Sequence, residues 1–353
     1  MATKMRSVRT WLFAALFAVL ATAVRAEPMR PELAQRLGAM HAASGATAMI
    51  AVVVDGERTY VEGINANERS LVRINSLTKL MTGELLATLI AQGRVRLDDT
   101  LQAHAPPRIR VPVPRAGRAI TLRDLTAHMS GLPRDLPPGL SVAARWRWLA
   151  RFKLRRPPAL VAEYSNAAYT FLGDALSNAA GTSYEALLKR HITGPLALAD
   201  TTLNPTPSQC ERLLPATHPC MPTYEFAAMG GLYSTASDMA RWMRAELEAP
   251  AGAPRAVAQD AIVERQALKR VLNLDMAGPM DAIAMGWLRM SLNGVPVLQK
   301  TGGGGGFMNY VILAPARRKG LFLTVNRVDI PMLRRLSRDA NTLVAEALLV
   351  PHH

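Results

Sequence analysis

Cysteine is almost absent from this chain: Cys210 and Cys220 are the only two in 353 residues, and neither stands in the spacing of a zinc site. No dinucleotide-binding glycine pattern occurs in a convincing context, and the glycine run at 302–306 lacks the Gly-Lys-Ser/Thr ending that a phosphate loop needs. No metal and no cofactor are therefore expected. Acidic residues are scarce as well, 27 against 42 lysines and arginines, which leaves a formal charge of +15. After residue 24 no apolar stretch is long and uncharged enough to span a bilayer, and no linker or internal repeat divides the chain.

The start of the chain carries the layout of a secretory signal. Lys4, Arg6 and Arg9 precede an apolar run at 11–24, and Ala26 offers a small residue before Glu27 and Pro28. The run is about fourteen residues long, short of the roughly twenty that a spanning helix needs. Export with removal of residues 1–26 follows as the expectation. Losing Lys4, Arg6, Arg9 and Arg25 lowers the charge from +15 to +11. Export removes nucleic acid from the expected partners and leaves anionic envelope polymers and lipid head groups. The basic clusters at 145–156 and 317–319 read equally well as solvated faces with no partner. An oxidising compartment also favours one short-loop disulfide between Cys210 and Cys220, tying down a surface loop.

The remaining 327 residues are enough for a large core. A helix is expected at 31–43, followed by an apolar β-branched run at 49–54, an Asp55-Gly56 turn and a returning strand at 60–64. Apolar residues recur at the helical period over 76–92, with Gly93 past the end. The middle, 97–270, is proline-rich with helical patterns at 167–180, 184–191 and 237–247. Strand character returns at 282–290, 295–299, 307–313 and 321–325, and a last helix is expected at 331–349. Strands at both ends around a helical middle predict an α+β fold: one antiparallel sheet flanked by terminal helices, with a mainly helical lobe inserted. The sheet lobe would take about 27–75 and 280–353, the helical lobe about 76–279, and the cleft between them is a natural place for a site.

Three short segments carry chemistry. In Ser76-Leu77-Thr78-Lys79 a serine opens a helix with a lysine three positions on, so the two side chains share a face and a desolvated amine can take the hydroxyl proton. Alone this match is weak, since an N-cap serine followed by an exposed lysine has the same spelling. Tyr164-Ser165-Asn166 precedes another helix: a tyrosine held among cations can shuttle a proton, and an asparagine amide can hold a substrate carbonyl. By itself it reads as a buried tyrosine and a capping residue. Lys300-Thr301-Gly302 follows a strand and leads into four more glycines, where a strand edge can accept an extended peptide and the lysine and threonine can bind a carboxylate. Consecutive glycines suit a place where another chain comes close to the backbone; a flexible loop is the plainer alternative.

In order and setting these segments resemble the Ser-x-x-Lys, Tyr-x-Asn and Lys-Thr-Gly motifs of the serine β-lactamase and penicillin-binding protein superfamily, in its class C and low-molecular-weight D,D-peptidase branch. Ile120 to Leu125 and His128-Met129-Ser130-Gly131-Leu132 are similar to the family's structural segment, with Met129 where threonine is usual, so His128 is read as structural. The stretch Arg73 to Leu80, the Cys210 and Cys220 pair, the segment Gly230 to Thr235 and above all the long glycine run resemble the family's periplasmic carboxypeptidase/endopeptidases more than its class C β-lactamases. The resemblance implies Ser76 as acylated nucleophile, Lys79 and Tyr164 as the proton-transfer pair, and Asn166 orienting the substrate amide. It further implies Lys300, Thr301 and Gly302 as the carboxylate-binding strand, and the backbone amides of Ser76 and Gly303 as the oxyanion hole. Peptidoglycan muropeptides would be the substrates and β-lactams acylating ligands, in the periplasm, with peripheral attachment to the inner membrane left open. A β-lactamase, an esterase and a silent peptidoglycan-binding protein remain as alternatives.

Overall fold

A computed structural model describes residues 27–114, 117–154, 156–158 and 160–350; the expected signal at 1–26 lies outside them. Twelve strands occur among these residues. They are β1 (Met49–Asp55), β2 (Arg58–Ile64), β3 (Val72–Arg73), β4 (Val161–Glu163), β5 (Tyr233–Ser234), β6 (Val263–Glu264), β7 (Arg270–Leu272), β8 (Ala282–Ile283), β9 (Leu288–Leu292), β10 (Val295–Gly304), β11 (Phe307–Ala314) and β12 (Lys319–Val325). Eight form one antiparallel sheet in the order β2-β1-β12-β11-β10-β9-β8-β6. The first and last long strands therefore lie side by side, Met49 opposite Val325 through Asp55 opposite Lys319. This is the α+β arrangement expected from strands at both ends of the chain.

Period-two alternation explains how a continuous apolar strand serves two cores. Ile50, Val52 and Val54 of β1 belong to one buried cluster and Met49, Ala51 and Val53 to another. The second cluster is closed by α1 (Pro31–Ser44) through Leu33 and Leu37 and by the C-terminal helix Ile330–Leu343 through Leu333, Leu336 and Ala340. Pro31 begins α1 and Gly45, at φ 63°, ends it. The first cluster is covered by α2 (Thr78–Ala91), by the helix Ala236–Leu247 and by helices of the middle segment.

Some elements differ from expectation. The apolar run at 282–290 is two strands, because the chain turns at Gly286 with the Ala284 amide donating to the Trp287 carbonyl at 2.9 Å. Strand β10 does not stop at Gln299 but runs through three glycines to Gly304, since the ladder to β11 continues as far as Gly304 opposite Phe307. Within the span expected to be helical, β6 closes one edge of the sheet. The basic stretch at 145–156 contains a helix the hydrophobic pattern did not reveal. It follows α3 (Leu122–Thr126) and is α4 (Val142–Arg151), capped by Ser141, whose hydroxyl accepts from the Ala144 amide. Arg145 is not on a solvated face. It is buried and paired through two nitrogens with Asp174 of α5 (Asn166–Ala180), the Nε to Oδ2 distance being 2.7 Å. The terminal expectation of one helix at 331–349 resolves into an α-helix that loosens to a π turn over Val344–Leu348.

Candidate active site

Ser76 sits on a single 3-10 turn, Asn75–Leu77, that leads into α2. The turn starts with Asn75 at φ 50°, a left-handed conformation that asparagine tolerates better than most residues. The Asn75 amide nitrogen donates to the carbonyls of Arg73 at 3.1 Å and Gly304 at 2.9 Å. One side chain thus ties the turn that carries the serine to the end of β10. The sequence reading passed over Asn75; its position directly before the serine was the available signal.

Lys79 is one helical turn on and fully buried. Its Nζ lies 3.1 Å from Ser76 Oγ and 2.8 Å from Asn166 Oδ1, and it also meets the Met229 carbonyl. Burial holds its pKa well below the ordinary lysine range; Asp135 pushes it up and Arg134 down. A neutral amine has two N–H bonds, which Asn166 and Met229 can accept, and one lone pair, which then faces Ser76. Asn166 begins α5, and its amide nitrogen donates to Asp135 Oδ1 at 2.7 Å. Both ends of that amide are therefore engaged, a constraint that follows from Asp135, a residue the motifs do not contain.

Tyr164 places its hydroxyl in hydrogen-bond contact with Ser76 Oγ. Three basic groups surround its ring: Lys79 Nζ at 5.0 Å, Lys300 Nζ at 5.2 Å and the Arg134 guanidinium at 5.1 Å from the centroid. His128 stacks on the same ring at 4.9 Å and accepts the Ser165 amide proton at Nδ1, 3.1 Å away. Burial first, then Lys300 and Lys79, push the His128 pKa well below that of a free imidazole. The imidazole is neutral and props the tyrosine.

Strand β10 supplies the opposite wall. Beyond Gln299 it pairs with β11 but no longer with β9, whose ladder covers only Val295 to Gln299. From Lys300 to Gly304 one edge of the strand is left without a strand partner among the described residues, and this part of the strand lies against the Ser76 turn. A β-carbon at Gly302 would stand 2.7 Å from the Ile74 carbonyl oxygen and 3.2 Å from the Ser76 nitrogen. The chain that comes close to this glycine is thus the protein's own Ser76 turn, and the run is ordered strand and turn rather than loop. Lys300 is buried, and burial lowers its pKa to about 8, with Tyr164 raising it and Lys79 lowering it further. Thr301 and Gly303 lie on either side of Gly302, Gly303 opposite Met308.

We expect Gly302→Ala to lower kcat by about 10²-fold or more, because the strand must retreat from Ser76 and misplacement of about 1 Å suffices for that loss. Single-turnover acylation by a chromogenic substrate measures it; an unchanged rate would contradict the close packing.

Cys210 and Cys220 are disulfide-bonded, with 5.6 Å between their α-carbons. The closed loop does more than cover surface: Ala216 and Thr217 pack on Gly306, and the Leu214 amide donates to the Leu71 carbonyl at 3.0 Å, next to β3. Among the described residues no cluster of His, Cys, Asp and Glu has the makings of a metal site, and no helix is long and apolar enough to cross a membrane.

The chain is similar over most of its length to known proteins. The family described as Beta-lactamase matches residues 32–346. The D-alanyl-D-alanine-carboxypeptidase/endopeptidase AmpH of Escherichia coli strain K12 is 39% identical, over 96% of this chain and 96% of its own. A crystal structure titled Beta-lactamase/D-alanine Carboxypeptidase from Yersinia pestis, complexed with citrate, superposes with a TM-score of 0.83 at 36% identity, covering 90% of this chain and 99% of that one. Beta-lactamase-like protein 2 of Dictyostelium discoideum is 30% identical over 49% of this chain and 35% of its own. With one family matched over almost all of the described residues and a relative alike from end to end, this chain belongs to the Beta-lactamase family.

Proposed function

We propose that this protein is a serine D,D-peptidase of the cell wall, removing terminal D-alanine from peptidoglycan stem peptides and opening D-alanyl cross-links through an acyl-enzyme. The observation that carries the reading is the unpaired β10 edge from Lys300 to Gly304 lying against a serine whose neighbour is a buried lysine. The names of the Escherichia coli and Yersinia pestis relatives support it.

The chemistry follows from the placements. The Lys79 amine takes the Ser76 proton as Oγ attacks the carbonyl carbon. The oxyanion is held by the amides of Ser76 and Gly303. The leaving D-alanine amine receives its proton through Tyr164, and water clears the acyl-enzyme by the reverse route. Lys300 and Thr301 bind the terminal carboxylate, Gly302 keeps the strand close, and Asn166 orients the substrate amide while fixing Lys79. Residues 1–26 act as the export signal, and the mature enzyme works in the periplasm. The sheet lobe, about 27–75 and 280–353, and the helical lobe, about 76–279, form one catalytic unit. The same serine reacts with β-lactams, and the double name of the Yersinia pestis relative, β-lactamase and D-alanine carboxypeptidase, supports β-lactam hydrolysis as a second activity.

The test is to incubate the mature protein with pentapeptide and cross-linked muropeptides and identify the products by mass. Release of D-alanine or splitting of dimers supports the reading. Intact muropeptides beside a hydrolysed p-nitrophenyl ester would make the protein an esterase, and failure of a fluorescent penicillin to label it would make it a silent binding module.

The Lys300 charge sets one limb of the pH profile. Its folded pKa is lowered from 10.5 to about 8, so the ammonium that binds carboxylate is present below about pH 8 and lost above it. KM for the peptide is expected to rise as pH passes through about 8, and Lys300→Arg, whose charge persists, should carry that limb to higher pH. A KM flat between pH 7 and 10 in the wild type would remove Lys300 from carboxylate binding.

A further inference from the structure

Arg73 is a cation without an anion. Its Nε is buried without a hydrogen-bond partner, and the residue as a whole is half-buried. Neither an ion pair nor a hydrogen bond of its guanidinium is formed among the described residues. The group is clamped between two aromatic faces instead, its carbon 5.4 Å from the Phe226 centroid and 5.7 Å from that of Tyr233. Leaving a half-buried guanidinium unpaired is costly, and aromatic faces offset only part of that cost. A half-buried guanidinium held by aromatic faces and free of a carboxylate can take an incoming anion.

The place adjoins the active site. A β-carbon on Gly305, at φ 58°, would lie 3.0 Å from an Arg73 terminal nitrogen, so the glycine gives the guanidinium room beside the end of β10. Phe226, which covers the guanidinium, also lines a recess of about 240 Å³ with Asp135 and Met229, both already in contact with catalytic groups. A peptide on the β10 edge with its terminal carboxylate at Lys300 and Thr301, and its scissile carbonyl between the Ser76 and Gly303 amides, runs antiparallel to the strand. At about 3.3 Å per residue, the residue before the acyl-donor D-alanine reaches Gly304 and Gly305.

Resting on the peptidase reading above, we propose that Arg73 is a specificity residue that binds a side-chain carboxylate on the substrate residue immediately preceding the acyl-donor D-alanine. The guanidinium fork presents two terminal N–H groups to such a carboxylate, which is the geometry of bidentate pairing. The favoured substrate class is therefore a D-alanyl-D-alanine peptide with an acidic third residue from its C-terminus.

Two peptides that differ only in glutamate or glutamine before the D-alanine pair test this. The wild type is expected to cleave the glutamate peptide with a kcat/KM about 10- to 100-fold higher, carried mainly by KM, as a charge-assisted contact would give. In Arg73→Gln that ratio should collapse toward one through loss on the glutamate peptide. A wild-type ratio near one overturns the inference whether or not the variant folds. Equal losses on both peptides in the variant also overturn it, since they show Arg73 acting only as packing. Failure of the wild type to cleave either peptide overturns the peptidase reading itself.

Discussion

Ser76→Ala is expected to lower the release of D-alanine by at least about 10⁴-fold and to abolish covalent labelling by a fluorescent penicillin, while the protein still folds. Among the described residues Ser76 Oγ hydrogen-bonds with Lys79 and Tyr164 alone, and the turn that carries it is held by its neighbour Asn75, so removing the oxygen leaves the turn in place. Intact mass after incubation with penicillin gives the first readout and muropeptide products the second. Full peptidase activity in the variant would sink the assignment of the nucleophile.

Lys79→Arg should cost about 10²- to 10⁴-fold in acylation rate although it keeps nitrogen donors in place. A guanidinium cannot give up its proton in water, so the variant places a fixed cation where the base was. In the wild type burial holds the Lys79 pKa well below the ordinary 10.5, and activity therefore rises with pH through a folded pKa far lower than that of a free lysine. Asp135 is the neighbour that raises it, so Asp135→Asn should move the acidic limb of the profile to lower pH. A limb that stayed in place would mean that another group controls it. Asp135→Asn also alters the hydrogen bond to Asn166, so the position of the limb, rather than the maximum rate, is the informative quantity.

The fold was legible where its signal repeats locally. The hairpin at 49–64, the helices at 31–43 and 167–180 and the strands at 307–313 and 321–325 appear within a few residues of their expected places, because side-chain burial alternates along a strand and recurs every turn of a helix. The helix at 142–151 escaped because its arginines mask an apolar stripe: Trp146 and Leu149 are buried, and Arg145 is buried as well through its pairing with Asp174, which lies 29 positions away. The extent of β10 escaped for a similar reason. Glycine has poor strand propensity, and only the ladder supplied by β11 keeps residues 300–304 extended.

By itself the sequence determined the sheet drawn from both ends of the chain, the family resemblance, and the three segments whose residue types suit acyl transfer to a serine. These follow from spacing and order, which are properties of the chain alone. Only the tertiary structure decided which of those groups meet and in what state. It buries Lys79 among Asn166, Met229 and Ser76, surrounds Tyr164 with basic groups, leaves one edge of β10 without a strand partner among the described residues, and brings Asn75, His128, Asp135 and Arg73 around the three motifs. The reason is physical: desolvation, pairing and proton affinity depend on what folds over a group, and the neighbours that set them lie up to some 230 positions apart, Asn75 and Gly304 being 229.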